Sequence, residues 1–168
     1  MDPLRNRRSI RKYTDKPVDD EVIRNILELT MTAPSAGDQR PWHFIVIRDR
    51  EKLEALSHEH PYASMAKHAP VAILVCADLQ LLKYENFWVQ DCAAATENLL
   101  LAATAEGLGS TWVGVYPVED RRALLRRLCE LPDHVEPFAL VPLGHPAERK
   151  GPAERYNDLR VHKEVWQG

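Results

Sequence analysis

Between positions 7 and 11 of this 168-residue chain stand three arginines and a serine, Arg7, Arg8, Ser9 and Arg11, with Ile10 among them and Lys12 and Tyr13 following. Guanidinium groups are planar and permanently charged, so they grip phosphate through paired hydrogen bonds, and a serine hydroxyl adds a donor in little space. The segment suits an anion, although a run of charge is equally a solvated basic face. A second segment, from Ala33 to Phe44, places Pro34, Ser35, Ala36, Gly37, Asp38, Gln39, Arg40 and Pro41 in succession before the apolar Ile45, Val46 and Ile47. Its prolines fix backbone angles and remove donors, Gly37 permits positive φ, and Ser35, Asp38 and Gln39 bring polar groups. A plain helix-to-strand connection needs one or two such residues; here they fill the segment.

Regular elements must position both segments. After Pro17, Asp19, Asp20 and Glu21 suit a helix N-terminus, and Val22, Ile23, Ile26, Leu27 and Thr30 share one face up to the Pro34 loop. His43 to Ile47 reads as a strand, Arg50 to Ser57 as a short helix, and Val71 to Ala77 as a strand apolar on both sides, which belongs inside a covered sheet. The stretch from about Asn86 to Glu106 is helical and apolar nearly all round. Such a helix is either a central core helix or one whose spare face packs on a second subunit. Thr111 to Tyr116 reads as a strand, Glu119 to Leu131 as a helix, Pro137 to Leu143 as the last strand, and the tail from Gly144 has neither periodicity. This alternation predicts a layered α/β/α arrangement in which helices cover both faces of a sheet.

Composition narrows the function. One domain spanning residues 1–168 is expected, large enough to bury a core without disulfides. The 22 basic and 25 acidic residues leave a net charge of −3, which gives no global case for nucleic acid or an anionic membrane as partner. Cys76, Cys92 and Cys129 lack metal-ligand spacing and sit among apolar residues, so they read as buried thiols in a reducing compartment. With no secretory signal and no apolar stretch long enough to span a bilayer, a cytoplasmic location is expected. No glycine-rich Rossmann or Walker turn is present, which removes the commonest nucleotide sites.

Two further segments matter: Gly107-Leu108-Gly109-Ser110-Thr111-Trp112-Val113-Gly114, and the ending from Leu143-Gly144-His145-Pro146-Ala147-Glu148 through Arg155 to Trp166. With the arginine segment and the Pro34 loop, they resemble, in order and over essentially the whole chain, the FMN-dependent nitroreductase family. That family opens with Arg-Arg-Ser-Ile-Arg-x-aromatic, then carries Pro-Ser-Ala-x-Asn-x-x-Pro-Trp-x-Phe, Gly-Leu-Gly-x-x-Trp and a closing Gly-x-Pro-x-Glu with a basic tail. The resemblance implies the family's α+β fold, with a mixed central sheet of about four strands covered by helices on both faces, a homodimer with FMN at its interface, and a C-terminal tail embracing the partner.

It also implies roles. Arg7, Arg8, Ser9 and Arg155 would hold the FMN phosphate. Arg11 would face the N1 and O2 edge, where negative charge gathers on reduction, and raise the potential. The backbone at Val113 or Gly114 would meet N5, and Pro34, Ser35, Ala36, Gly37 and Gln39 would wall the ring of the other subunit. Asp38 replaces the family's asparagine, so it is ranked as a loop-shaping residue before an FMN contact. Tyr84, Phe87 and Trp88 either cap the substrate face or pack in the core. FMN performs the chemistry without a catalytic side chain: NADH or NADPH reduces it, and a nitroaromatic, quinone or similar small acceptor takes the electrons in ping-pong order. Alternatives are dehalogenation or flavin destruction on the same fold, or a non-catalytic flavin-binding module. His58, Glu59 and His60 do not share a helix face, so no metal is expected, and Asp91 is read as a cap of the long helix.

Overall fold

The computed structural model describes residues 2–167. Its helices are α1 (Pro3–Asn6), α2 (Asp20–Thr30), α3 (Arg50–Glu59), α4 (Trp88–Ala105) and α5 (Glu119–Cys129). Its strands are β1 (Trp42–Ile47), β2 (Val71–Asp78), β3 (Gly109–Ser110), β4 (Val113–Gly114) and β5 (Val135–Gly144). The sheet runs β1-β2-β5-β3, with β4 also on β5, so it is about four strands wide. Every pairing between these strands is antiparallel, and a parallel bridge joins Ser9 to Ser110.

β2 is buried on both sides because the two sides serve different cores. Val71, Ile73, Val75 and Ala77 pack with Ile23 and Ile26 of α2 and Leu99 and Ala103 of α4. Ala72, Leu74 and Cys76 face Leu53 and Leu56 of α3 and Leu124 and Leu125 of α5. Helices thus cover both faces, giving the expected layers. Ile23 and Ile26, almost wholly buried, contribute about 1.5–3 kcal/mol each to docking α2. Cys76 and Cys92 are buried and Cys129 is partly so; burial raises all three thiol pKa values, that of Cys92 to about 12.

The strand expected at Thr111 to Tyr116 is instead two short pieces, and the reason lies in its partner. The register is continuous, Ser110 opposite Leu143 and Val113 opposite Leu140, so Thr111 falls opposite Pro142. Thr111 donates to the Pro142 carbonyl at 3.3 Å, but proline has no N–H to return, and the ladder breaks there. A second irregularity, between Val75 and Cys76, leaves Phe138 unpaired against β2, so Phe138 and Ala139 both enter the core on the α4 side.

Candidate functional site

The arginine segment lies along the β3 edge of the sheet and is stitched to the start of the tail. Ile10 N–H donates to Ser110 O at 2.9 Å, and the buried Tyr13 hydroxyl donates to Ile10 O and Pro142 O. Arg8 Nη1 donates to Gly151 O, Lys150 Nζ to Ser9 O at 2.7 Å, and the Arg11 backbone N–H to Glu148 at 2.7 Å. That last bond, with Lys150 beside it, holds the Glu148 carboxyl below its usual range. Arg7 Nε reaches Glu97 of α4 at 3.3 Å, while the Arg11 side chain stands in solvent. A cavity of about 250 Å³ opens here, lined by Arg8, Ile10, Gly109, Glu148, Arg149 and Lys150 among others. A larger groove beside α2, about 440 Å³, is lined by Asp19, Glu21, Glu28 and Glu106 and has the wrong sign for a phosphate.

The Pro34 loop is held by a buried polar network. Asp91 Oδ1 accepts from Ala36 N–H at 2.9 Å, and Oδ2 from Gln39 Nε2 at 2.6 Å. Gln39 Oε1 accepts from the N–H groups of Lys83 and Tyr84, and its Nε2 also donates to Tyr84 O at 3.4 Å. All four hydrogen-bonding positions of the Gln39 amide are therefore spent within the chain. The cap expected of Asp91 is replaced by this role: α4 starts at Trp88 without a side-chain cap, and the carboxylate fixes the loop instead. Ser35 Oγ accepts from Arg40 N–H at 3.0 Å, and Asp38 is neutralised by Arg40 at 2.8 Å. The loop is shaped by Ser35 and Gln39, and Asp38 sits at φ 53°. Gly37, at φ 53°, lies under the Tyr84 ring, which an added Cβ would overlap. No hydrogen bond or ion pair among the described residues joins this loop to Arg7–Arg11.

Val113 is a core side chain paired with Leu140, whereas Gly114, opposite Ala139, is half-buried. Along an antiparallel strand the backbone groups alternate in direction. Thr111 and Val115 donate inward to β5, Ser110 O accepts outward from Ile10, and so Gly114 presents its N–H and C=O outward. Its carbonyl accepts from Arg121 Nη1 at 3.0 Å. Nothing in the chain demands glycine here: φ is not positive, and the nearest atom to an added Cβ is Arg121 Nη1 at 3.9 Å. The glycine leaves the backbone here open to close approach by an external flat group. The orphaned buried hydroxyl of Ser110, next to Ser9, is a further unspent polar group on this edge.

Of the three candidate aromatic residues, Trp88 packs edge-on against Tyr116, ring centres 4.6 Å apart, and against Phe138. Tyr84 and Phe87 are half exposed beside the Pro34 loop and α4. Arg155 lies in the exposed tail, away from any recorded bond to Arg7, Arg8 or Ser9. Sequence reasoning missed Lys150 and Arg121, and it gave Asp91 a cap in place of its bonds to the Pro34 loop. Lys150 had a signal in the basic tail; the other two become visible only when the fold closes. Among the described residues no group of three or more His, Cys, Asp or Glu side chains could hold a metal, and no helix is long and apolar enough to cross a membrane.

Comparison with known proteins gives concordant results. The chain matches the Nitroreductase family over residues 4–61 and 53–145. A protein of Methanothermobacter thermautotrophicus provisionally named NADH dehydrogenase/NAD(P)H nitroreductase is 52% identical over 166 residues, 99% of this chain and 87% of the relative. A crystal structure provisionally named an NADH oxidase, from Clostridium acetobutylicum, superposes with a TM-score of 0.95 at 41% identity, covering 98% of this chain and 100% of that one. Another, of a provisionally named nitroreductase from Desulfovibrio desulfuricans in complex with FMN, has a TM-score of 0.86 at 35% identity, covering 98% and 96%.

Proposed function

The chain belongs to the nitroreductase family, and on that footing we propose that it is an FMN-dependent oxidoreductase that uses NAD(P)H to reduce small acceptors such as nitroaromatics or quinones. The observation that carries the reading is Gly114, a glycine its own chain does not need, on an open sheet edge in the strand path beside the arginine segment. FMN, when bound, takes a hydride from NAD(P)H and delivers it to the acceptor.

The residues divide the remaining work. Arg7, Arg8 and Ser9 would bind the phosphate, with Lys150, already on Ser9, closing that end and Arg155 arriving from the tail. Arg11, its backbone held by Glu148 and its guanidinium free, would face the edge of the ring that gains charge. The outward Gly114 N–H would orient N5. The Pro34 loop would cover the ring of a second subunit, which is consistent with its lack of bonds to the arginine segment of its own chain; Gln39 acts by shaping that loop, not by offering its amide. Tyr84 and Phe87, half exposed, and Trp88, partly buried with its ring against Tyr116, would meet substrate.

A homodimer is supported by the tail, where Tyr156, Leu159, Val165 and Trp166 are each more than two-thirds exposed in the isolated chain. Residues 1–168 form one FMN-binding domain in this reading, and a cytoplasmic location accords with buried, unpaired thiols. The test is direct: purified protein should be yellow or take up FMN, elute as a dimer, and bleach with NADH or NADPH under anaerobic conditions. A colourless protein that takes up no FMN defeats the reading. Bound flavin that neither nicotinamide reduces indicates a binding module instead.

A further inference from the structure

α5 carries four arginines, and three of them are neutralised. Arg122 pairs with Glu119 and Glu136, Arg126 with Glu136 at 2.8 Å, and Arg127 with Glu59 at 2.6 Å. Arg121 has no ion pair among the described residues; its guanidinium lies over the Tyr62 ring, 5.0 Å from the centroid, and donates to Gly114 O. We infer that Arg121 is a positioning residue for the cofactor face, its guanidinium fixing the Gly114 backbone and placing a positive charge beside its outward carbonyl. The inference rests on the reading of Gly114 as the flavin contact.

Gly114 needs such a fixture. It is a glycine in a two-residue strand on the sheet edge, where its neighbours Val113 and Val115 are bonded to β5 but its own N–H and C=O point outward, and glycine restrains those groups least. The support around its carbonyl is built in layers. His60 is 1% exposed, and its Nδ1 accepts from Tyr62 N–H at 3.2 Å, which leaves the proton of the neutral ring on Nε2. That Nε2 has no hydrogen-bond partner among the described residues. Burial, and then the Arg121 charge, lower the His60 pKa, while the Gly114 carbonyl opposes the drop. His60 is thereby kept neutral, and Arg121 is the cation that meets this carbonyl.

Two effects follow. A fixed carbonyl keeps the Gly114 N–H aimed off the open edge, and a cation on that same outward side, unpaired although its groove is shared with Glu59 and Asp120, favours a ring that gains negative charge on reduction. Arg121→Met should therefore shift the equilibrium between oxidised and reduced bound FMN about tenfold toward oxidised, roughly 30 mV for a two-electron couple. Arg121→Lys, which keeps the charge, should restore most of that shift. In FMN-free protein, amide exchange across Val113–Val115 should quicken at least tenfold in Arg121→Met, a readout independent of turnover. Arg121→Gln gives the same measurements should the methionine variant misfold. A folded, FMN-loaded Arg121→Met protein with wild-type potential and wild-type exchange overturns the inference alone. Wild-type protein that binds no FMN overturns the reading beneath it.

Discussion

The Asp91 carboxylate and the Gln39 side-chain amide meet at 2.6 Å in the protein interior, so a charge on α4 sets the shape of a loop more than fifty residues away. Asp91→Asn replaces an acceptor of two N–H groups with a side chain that can satisfy only one of them in the same pose. It should cost about 1–3 kcal/mol in urea unfolding, and lower FMN uptake while the arginine segment stays intact. Unchanged uptake would mean the loop does not border a cofactor.

Gly37 tests the same loop by sterics. Gly37→Ala meets both the Tyr84 ring and a left-handed φ of 53°, and should destabilise by roughly 1–3 kcal/mol. In a Tyr84→Ala background the overlap is gone and only the conformational part, about 1 kcal/mol, should remain. A double-mutant cycle by thermal melting separates the two.

Gly114→Ala is expected to do the opposite. The added methyl meets no atom closer than 3.9 Å, so stability should change by less than about 0.5 kcal/mol. FMN affinity should nonetheless fall at least tenfold, measured by fluorescence titration. Wild-type affinity would remove the main support for the proposed site.

Arg7 and Arg11 should separate retention from redox poise. Arg7→Ala removes a phosphate donor and a surface pair with Glu97 worth at most about 1 kcal/mol, so FMN should be lost more readily than reduction slows. Arg11→Ala should slow reduction by NAD(P)H about tenfold with a smaller effect on retention. If both substitutions only loosen FMN, the assignment of roles fails.

Glu148 predicts a dependence on acid. Its pKa in the folded chain lies below the usual 4.5, so the stability it contributes is present above that value and is lost as pH falls through the depressed one. Wild-type protein should be more stable than Glu148→Gln at pH 7, and the gap should close toward pH 3. A gap that persists at pH 3 in guanidinium titrations would show that the Arg11 contact does not depend on charge.

Much of the fold could be read from residue patterns, because β2 and α2 carry strong local periodicity and tertiary packing agrees with it. The break at Thr111 could not, since it is caused by Pro142, a residue opposite in the sheet and distant in sequence. The arginine segment announced itself by composition. Asp91 and Arg121 did not: an aspartate in the first turn of a helix looks like a cap, and an arginine among four looks like a solvated face. Their partners, Gln39 and Gly114, are chosen by topology.

The stitching of Arg8, Ser9 and Arg11 to Gly151, Lys150 and Glu148 also has a consequence in time. These contacts close a loop of about 140 residues, whereas the β1-β2 pairing and the helices need far less chain. On a ribosome the sheet can begin to assemble while the N-terminal arginines are still unanchored, and the proposed phosphate end comes together only after residue 151 has emerged. Cofactor capture at that proposed site would then be a late event in the life of each molecule, and a nascent chain stalled before Glu148 would hold a partly formed sheet whose arginine segment is unanchored.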